Sequence, residues 1–300
     1  MEQNNSITKK GSFFSKKTIF FTIILIFFLI GVNSLSEKPL VREDSIGKIS
    51  IDGAILDESD LLKKLKILEL SNKLHGLIVE IDSPGGAVVP SYRLYDGIKK
   101  IADKKPVAIV MKSVAASGGY LISLAGERIF AHPSTITGSI GVIFFKADAR
   151  ELLNNIGIKP LIFKSGKLKA APNPVEELSE DVSMMMEKTI LEVKRQFIDL
   201  VLQRRKITDE KIISDIENSG IYIGTEAKKI GLVDELGGID DGYNWIVKEK
   251  NLNFPLREIN IKEKKNDFFM KRFFGSSSIF NVIEELSLFK KNGIYLIYDE

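Results

Sequence analysis

Two short apolar runs constrain this chain more than any other feature. Gly76–Ile81 reads GLIVEI and Pro106–Met111 reads PVAIVM. Each predicts a strand buried on both faces. Between them Val89–Ile101 is amphipathic, and Pro90 suits a first helical turn. Upstream, Ile46–Ile55 reads as a strand with a glycine turn near its end, and Asp60–Asn72 has helical spacing at Leu61, Leu62, Leu65 and Leu68. Downstream, Gly118–Ala125 predicts a short helix, Arg128–Ala131 a strand, Asp148–Ile156 a helix and Pro160–Phe163 an extended piece. Buried strands separated by helices predict an α/β domain with a largely parallel sheet. A long charge-rich helical pattern follows over Val175–Ile207, then shorter ones at Asp209–Asn218, Thr225–Ile230 and Asp240–Glu249.

The chain has 300 residues, 44% of them hydrophobic and 28% charged. That allows one large domain or two small ones, with a full core. Cysteine is absent, which excludes a disulfide framework, a thiolate nucleophile and a Cys-rich zinc site. With two histidines, His75 and His132, a three-His metal site within one chain is impossible. His75 precedes a strand and His132 precedes Pro133, so both read as structural. Catalysis then falls to Ser, Lys, Asp, Glu or backbone.

The net charge of +3 is concentrated at the start, where Lys9, Lys10, Lys16 and Lys17 oppose Glu2 alone. The remainder sums to zero, so no nucleic-acid partner is expected. Thr18–Val32 is then fifteen residues without a charge, and extension to Leu35 reaches about the lower limit for a spanning helix. The residues after it carry a small negative excess. Residues 18–35 are therefore expected to cross the cytoplasmic membrane and contact its lipid. Residues 1–17 would be a cytoplasmic basic tail and the remaining chain extracytoplasmic, periplasmic or external. The rival reading is a cleaved signal peptide, for which Val32-Asn33-Ser34 is a poor cleavage site. Residues 36–45 read as a linker, 46–261 as the folded domain and 262–300 as a C-terminal tail of different composition, either a membrane-surface segment or added helices.

Three segments carry chemistry. Asp82-Ser83-Pro84-Gly85-Gly86 follows the GLIVEI strand, and its glycines permit a turn whose N–H groups point into a site. Ala115-Ala116-Ser117-Gly118-Gly119-Tyr120 follows PVAIVM, so Ser117 either exposes its hydroxyl at a strand-to-helix junction or only caps the helix. Both turns would lie at the same sheet edge. The third segment is Lys164-Ser165-Gly166-Lys167-Leu168-Lys169-Ala170-Ala171-Pro172. A lysine acts as a base only when neutral, a state that burial away from water favours. Lys169, beside Ala170, Ala171 and Pro172, suits that, while Lys164 and Lys167 remain rivals.

These segments, together with Thr137-Gly138-Ser139-Ile140-Gly141-Val142 and Gly231-Leu232-Val233-Asp234-Glu235-Leu236-Gly237, resemble the signal peptide peptidase A family in order and spacing over roughly residues 46–250. The resemblance implies a Clp/crotonase-like fold with repeated ββα-type units, preceded by one N-terminal transmembrane helix. It also implies a serine endopeptidase with a Ser–Lys dyad, degrading remnant signal peptides or similar apolar peptides after export. By motif position Ser117 would be the nucleophile, Lys169 the general base and Ser139 the residue that orients it. Gly86 and Gly118 would donate the oxyanion-hole N–H groups. Asp82 would support its turn, with no chemical role. No cofactor or metal is implied.

Long members of that family carry two tandem halves, and this chain has one half's worth of domain. The resemblance then implies a homo-oligomer with active sites shared between subunits. The alternatives are a same-fold membrane peptidase cleaving a membrane protein's apolar segment (the stomatin-cleaving type), a crotonase-like acyl-CoA enzyme, or a non-catalytic membrane-anchored scaffold.

Overall fold

The computed structural model describes residues 40–259. The expected anchor at 18–35 and the tail at 262–300 lie outside the described residues. Among the described residues no helix is long and apolar enough to cross a membrane.

Two consecutive βαβ units build the centre. Strand β1 (Ser45–Asp52), helix α1 (Ser59–Leu70), strand β2 (Leu74–Ser83), helix α2 (Val88–Ala102) and strand β3 (Val107–Ala116) follow in order. The three strands are parallel, with Lys48 opposite Ile78 and Val79 opposite Ile109. Alternation along each strand divides the core into two layers. Leu77, Val79, Ile81, Ile109 and Met111 face one layer with Leu65, Leu68, Leu94 and Ile98 of the two helices. Ile78, Ala108 and Val110 face the other, where Ile246 covers them. This two-sided burial explains why both strands read as continuous apolar runs.

Strand β3 extends past Met111 to Ala116 because two side chains repair its ladders. Lys112 and Ser113 are exposed and end the apolar run. The β2–β3 register shifts between Ile81 and Ser83, and there Asp82 Oδ1 accepts the Val114 N–H at 3.1 Å. On its other side β3 first pairs with β4 (Arg128–Ala131) and then with β5 (Ile136–Gly138). Between the two, buried Thr135 accepts the His132 N–H at 3.0 Å and donates to the Lys112 carbonyl at 2.5 Å. Asp82, expected to support its own turn, thus completes the ladder to β3.

After β3 come α3 (Gly118–Ser123), α4 (Arg150–Asn155), α5 (Glu180–Arg205), α6 (Glu210–Glu217), β6 (Ile221–Ile223), α7 (Gly224–Lys229), β7 (Glu235–Leu236), α8 (Ile239–Lys250) and β8 (Leu256–Glu258). The sheet runs β6-β5-β3-β2-β1-β8, with β4 beside β3 and β7 beside β4. The β5–β6 pair is antiparallel, so the sheet is mixed. Residues 160–163, expected to be extended, join no ladder. Strands β5 to β8 are two or three residues long, too short to show a period.

Candidate active site

Both glycine turns sit at the carboxyl ends of neighbouring parallel strands, and they dovetail. Gly85 has φ +102°, and a methyl there would lie 2.7 Å from Gly118 N and 2.9 Å from Ser117 Cβ. A methyl at Gly119 would lie 2.7 Å from the Ser83 carbonyl, and one at Gly118 would overlap Ser91 Oγ. Only residues without a side chain let the two turns approach this closely.

Ser117 stands between β3 and α3 with φ 51° and ψ −120°. An L-residue held there stores about 1–3 kcal/mol of backbone strain. Three contacts impose the conformation. The Ser117 N–H donates to the Gly138 carbonyl at 2.9 Å, and the Ser117 carbonyl accepts the Leu121 N–H at 2.9 Å. Tyr120, fully buried, anchors the short helix by donating its hydroxyl to the Leu232 carbonyl at 2.9 Å. Burial pushes the Tyr120 phenol well above its ordinary range. Ser117 does not act as a side-chain cap of α3, so the capping alternative has no support.

Ser117, Gly86, Gly118 and Ser139 line one cavity of about 360 Å³. The Gly86 N–H is free of its neighbouring bridge. Ile55 N donates to Gly85 O, and Ala87 N donates to Ile55 O, so the amide between them faces the other way. The Gly118 N–H lies in the first turn of α3 and has no intrahelical acceptor. Ser139, at φ 50°, follows the Gly138 carbonyl that binds Ser117. A half-buried hydroxyl that lines this cavity, next to two N–H groups without strand or helix partners, can attack a carbonyl whose oxygen those groups receive.

Among the described residues, the cavity's lining contains no base: no lysine, histidine or carboxylate. Of the three candidate lysines, Lys164 is committed to Glu176, and this pairing holds the Glu176 carboxyl below its ordinary range. Lys167 and Lys169 are exposed, and Lys169 lies on a turn closed by its N–H on the Gly166 carbonyl at 3.0 Å. The structure therefore brings together Ser117, Ser139, Gly86 and Gly118 and leaves Lys169 outside. The histidines are structural, as expected: His75 stacks on Phe254 at 3.9 Å, and His132 Nδ1 accepts the Ser134 N–H.

Sequence reasoning missed the rest of the lining. Helix α2 contributes Val88, Ser91 and Tyr92, α5 contributes Val193 and Phe197, and the turn after α6 contributes Ser219. The Tyr92 hydroxyl is buried without a partner, and burial with the Asp199 charge raises its pKa. The amphipathic stripe of α2 was legible, but not which of its residues face the site.

Parallel β-strands whose glycine turns converge on a strained serine define a Clp protease-like α/β fold, and residues 44–137 match the Clp protease family model. The chain belongs to peptidase family S49, whose model matches residues 99–253, and is a serine protease of that family. It is 32% identical over 272 residues to a signal peptide peptidase SppA of Enterococcus faecium, covering 85% of this chain and 77% of the relative. A protease of Synechocystis is 31% identical over 81% of this chain and 88% of its own length. The chloroplastic serine protease SPPA of Arabidopsis thaliana is 30% identical over 71% of this chain, which spans 31% of that longer protein.

Proposed function

We propose that this protein is a membrane-anchored serine endopeptidase whose nucleophile is Ser117 and whose general base is Lys169, brought to Ser117 by a neighbouring copy. The observation that carries this reading is a strained serine in a cavity where none of the described lining residues is a base. A lysine on an exposed turn of the same chain supplies the missing group. Exposed apolar side chains support assembly, because Ile143, Phe145, Leu161 and Phe163 are each more than 80% exposed. A second copy covering them would remove a large apolar area from water.

Neutral Lys169 takes the Ser117 proton as Oγ attacks the peptide carbonyl, and the Gly86 and Gly118 N–H groups receive the oxyanion. The C–N bond breaks as Lys169 returns the proton to the leaving amine. Water, deprotonated by the same lysine, then attacks the ester, and Ser117 is regenerated. Ser139 Oγ accepts an N–H of the neutral amine and orients it, which leaves the amine's one lone pair to Ser117. Val88, Leu121, Val142, Ile143, Val193 and Phe197 give the cavity an apolar wall, which favours apolar side chains. An apolar segment at 18–35 would hold the enzyme at the bilayer, where remnant signal peptides remain after export. The name of the Enterococcus relative agrees with that substrate class.

Mixing two inactive variants tests the shared site. Ser117→Ala and Lys169→Ala, each inactive on an apolar signal-peptide mimic, should regain activity when co-assembled, up to about a quarter of wild type for random pairing. No recovery in a verified mixed oligomer would place the base within the same chain, and a Lys169→Ala variant that keeps its rate would move the base elsewhere, with Lys167 next to test.

A further inference from the structure

Ser139 carries a positive φ, and no helix or long strand enforces it. The turn after α6 does so instead. That helix ends at Glu217, and Ser219 follows with φ 60°. The Ser219 N–H donates to the Ile216 carbonyl at 2.9 Å, and the Gly220 N–H donates to the Asp215 carbonyl at 3.1 Å. Asp215 is itself fixed by the Tyr222 hydroxyl at 2.6 Å. From this anchored turn two bonds reach the Ser139 segment. The Gly220 carbonyl accepts the Ser139 N–H at 2.8 Å, and Ser219 Oγ donates to the Ile140 carbonyl at 3.0 Å. Ile140 is fully buried, and a methyl at Gly141 would overlap Ser219 Oγ, so the segment is pressed against this hydroxyl.

The two bonds fix the peptide group before Ser139 and the one after Ile140, so they bracket the Ser139–Ile140 pair. The direction of a Cα–Cβ bond follows from the backbone that carries it, so they also fix where the Ser139 hydroxyl can reach. We propose that Ser219 is a positioning residue for the peptidase reaction, acting through the Ile140 carbonyl to hold Ser139 where it meets the lysine. The inference rests on the dyad reading above. It predicts a signature that a structural turn residue lacks. An oxygen accepting from the lysine nitrogen binds its charged form more strongly, so misplacing Ser139 lowers the lysine pKa and moves the rate limb to lower pH.

The test uses the full chain and a fluorophosphonate, which needs no knowledge of the natural substrate. The rate of Ser117 labelling is followed by intact mass from pH 6 to 10. Ser219→Gly suits the positive φ but removes the donor, whereas Ser219→Cys keeps a weak donor of similar size. The expected result for Ser219→Gly is thermal unfolding close to wild type, labelling about 10-fold slower on the high-pH plateau, and a rate limb displaced to lower pH, as in Ser139→Ala. Ser219→Cys should fall between. The double variant with Ser139→Ala should be no slower than Ser139→Ala alone, since one residue acts through the other. A wild-type rate and profile in Ser219→Gly, a loss uniform across pH, or additive losses in the double variant would overturn the inference while leaving the dyad standing. Labelling undiminished in Ser117→Ala or Lys169→Ala would overturn the dyad, and the inference with it.

Discussion

The Ser117 N–H donates to the Gly138 carbonyl at 2.9 Å, and this bond sets the two serines of the site side by side. It continues the β3–β5 ladder one step beyond the Ala116–Gly138 pair, so each strand delivers its serine immediately after its last paired residue. The sheet register thus determines the site geometry. A one-residue slip would reverse the face on which each serine emerges.

The strain at Ser117 separates stability from activity. Ser117→Ala should be inactive, with a urea midpoint near wild type. Ser117→Gly should be equally inactive but more stable by about 1 kcal/mol, since relief of the positive φ outweighs the added freedom of the unfolded chain. Equal midpoints for the two variants would show that the turn is not strained.

Gly86 is squeezed against its bridge partner Ile55. A methyl there would overlap the Ile55 carbonyl, so the turn must retreat from its bridge and carry its N–H away from Ser117. Gly86→Ala should destabilise by about 1–3 kcal/mol. It should also lower kcat by about 100-fold with KM little changed, as expected for one lost oxyanion donor. A variant that is less stable but keeps the wild-type kcat would remove Gly86 from the oxyanion hole.

Much of this was legible because burial leaves a strong pattern. GLIVEI and PVAIVM announced β2 and β3, and the stripe over Val89–Ile101 announced α2 to within a residue at each end. Lys112 and Ser113 hid the second half of β3, since its continuity depends on Asp82 and Thr135, which are distant in sequence. In the site, glycine and serine motifs marked the residues whose backbone is special. Ser219 and Tyr92 carry no such mark. Ser219 sits in an ordinary helix-ending turn, and only the fold brings it to Ile140. Lys164 could not be separated from its neighbours until its pairing with Glu176 was seen.

The Gly231–Gly237 motif is structural in this fold. Arg205 donates to both Asp234 oxygens, at 3.0 and 2.8 Å, and to the Gly231 carbonyl at 2.8 Å. Asp234 Oδ2 also accepts the Ile129 N–H at 2.8 Å, so the end of α5 is tied to β4. The Arg205 side chain is 11% exposed and Asp234 30%. Arg205→Ala should cost about 3 kcal/mol, at the lower end for a buried pair because the carboxylate keeps some water. Arg205→Lys should recover less than half of this, since an ammonium cannot reproduce the three-bond fork. Urea unfolding measures both, and a lysine variant as stable as wild type would reduce the contact to simple charge pairing.

Acid should weaken the fold through Glu69 at the end of α1. Lys104 and Lys66 donate to its two oxygens at 2.6 and 2.8 Å, and these bonds hold its pKa at about 2, against 4.5 for a free glutamate. Because the folded value lies below the unfolded one, the stabilisation is complete above pH 4.5 and is lost as pH falls towards 2. Arg150 holds Asp148 at about 2 in the same way, so wild type alone cannot isolate Glu69. The difference between wild type and Glu69→Gln can, since Asp148 contributes equally to both. The gap in urea midpoint should be constant from pH 7 to about 4.5 and close by pH 2. A gap that persists unchanged at pH 2 would mean that Glu69 contributes through packing rather than through its charge.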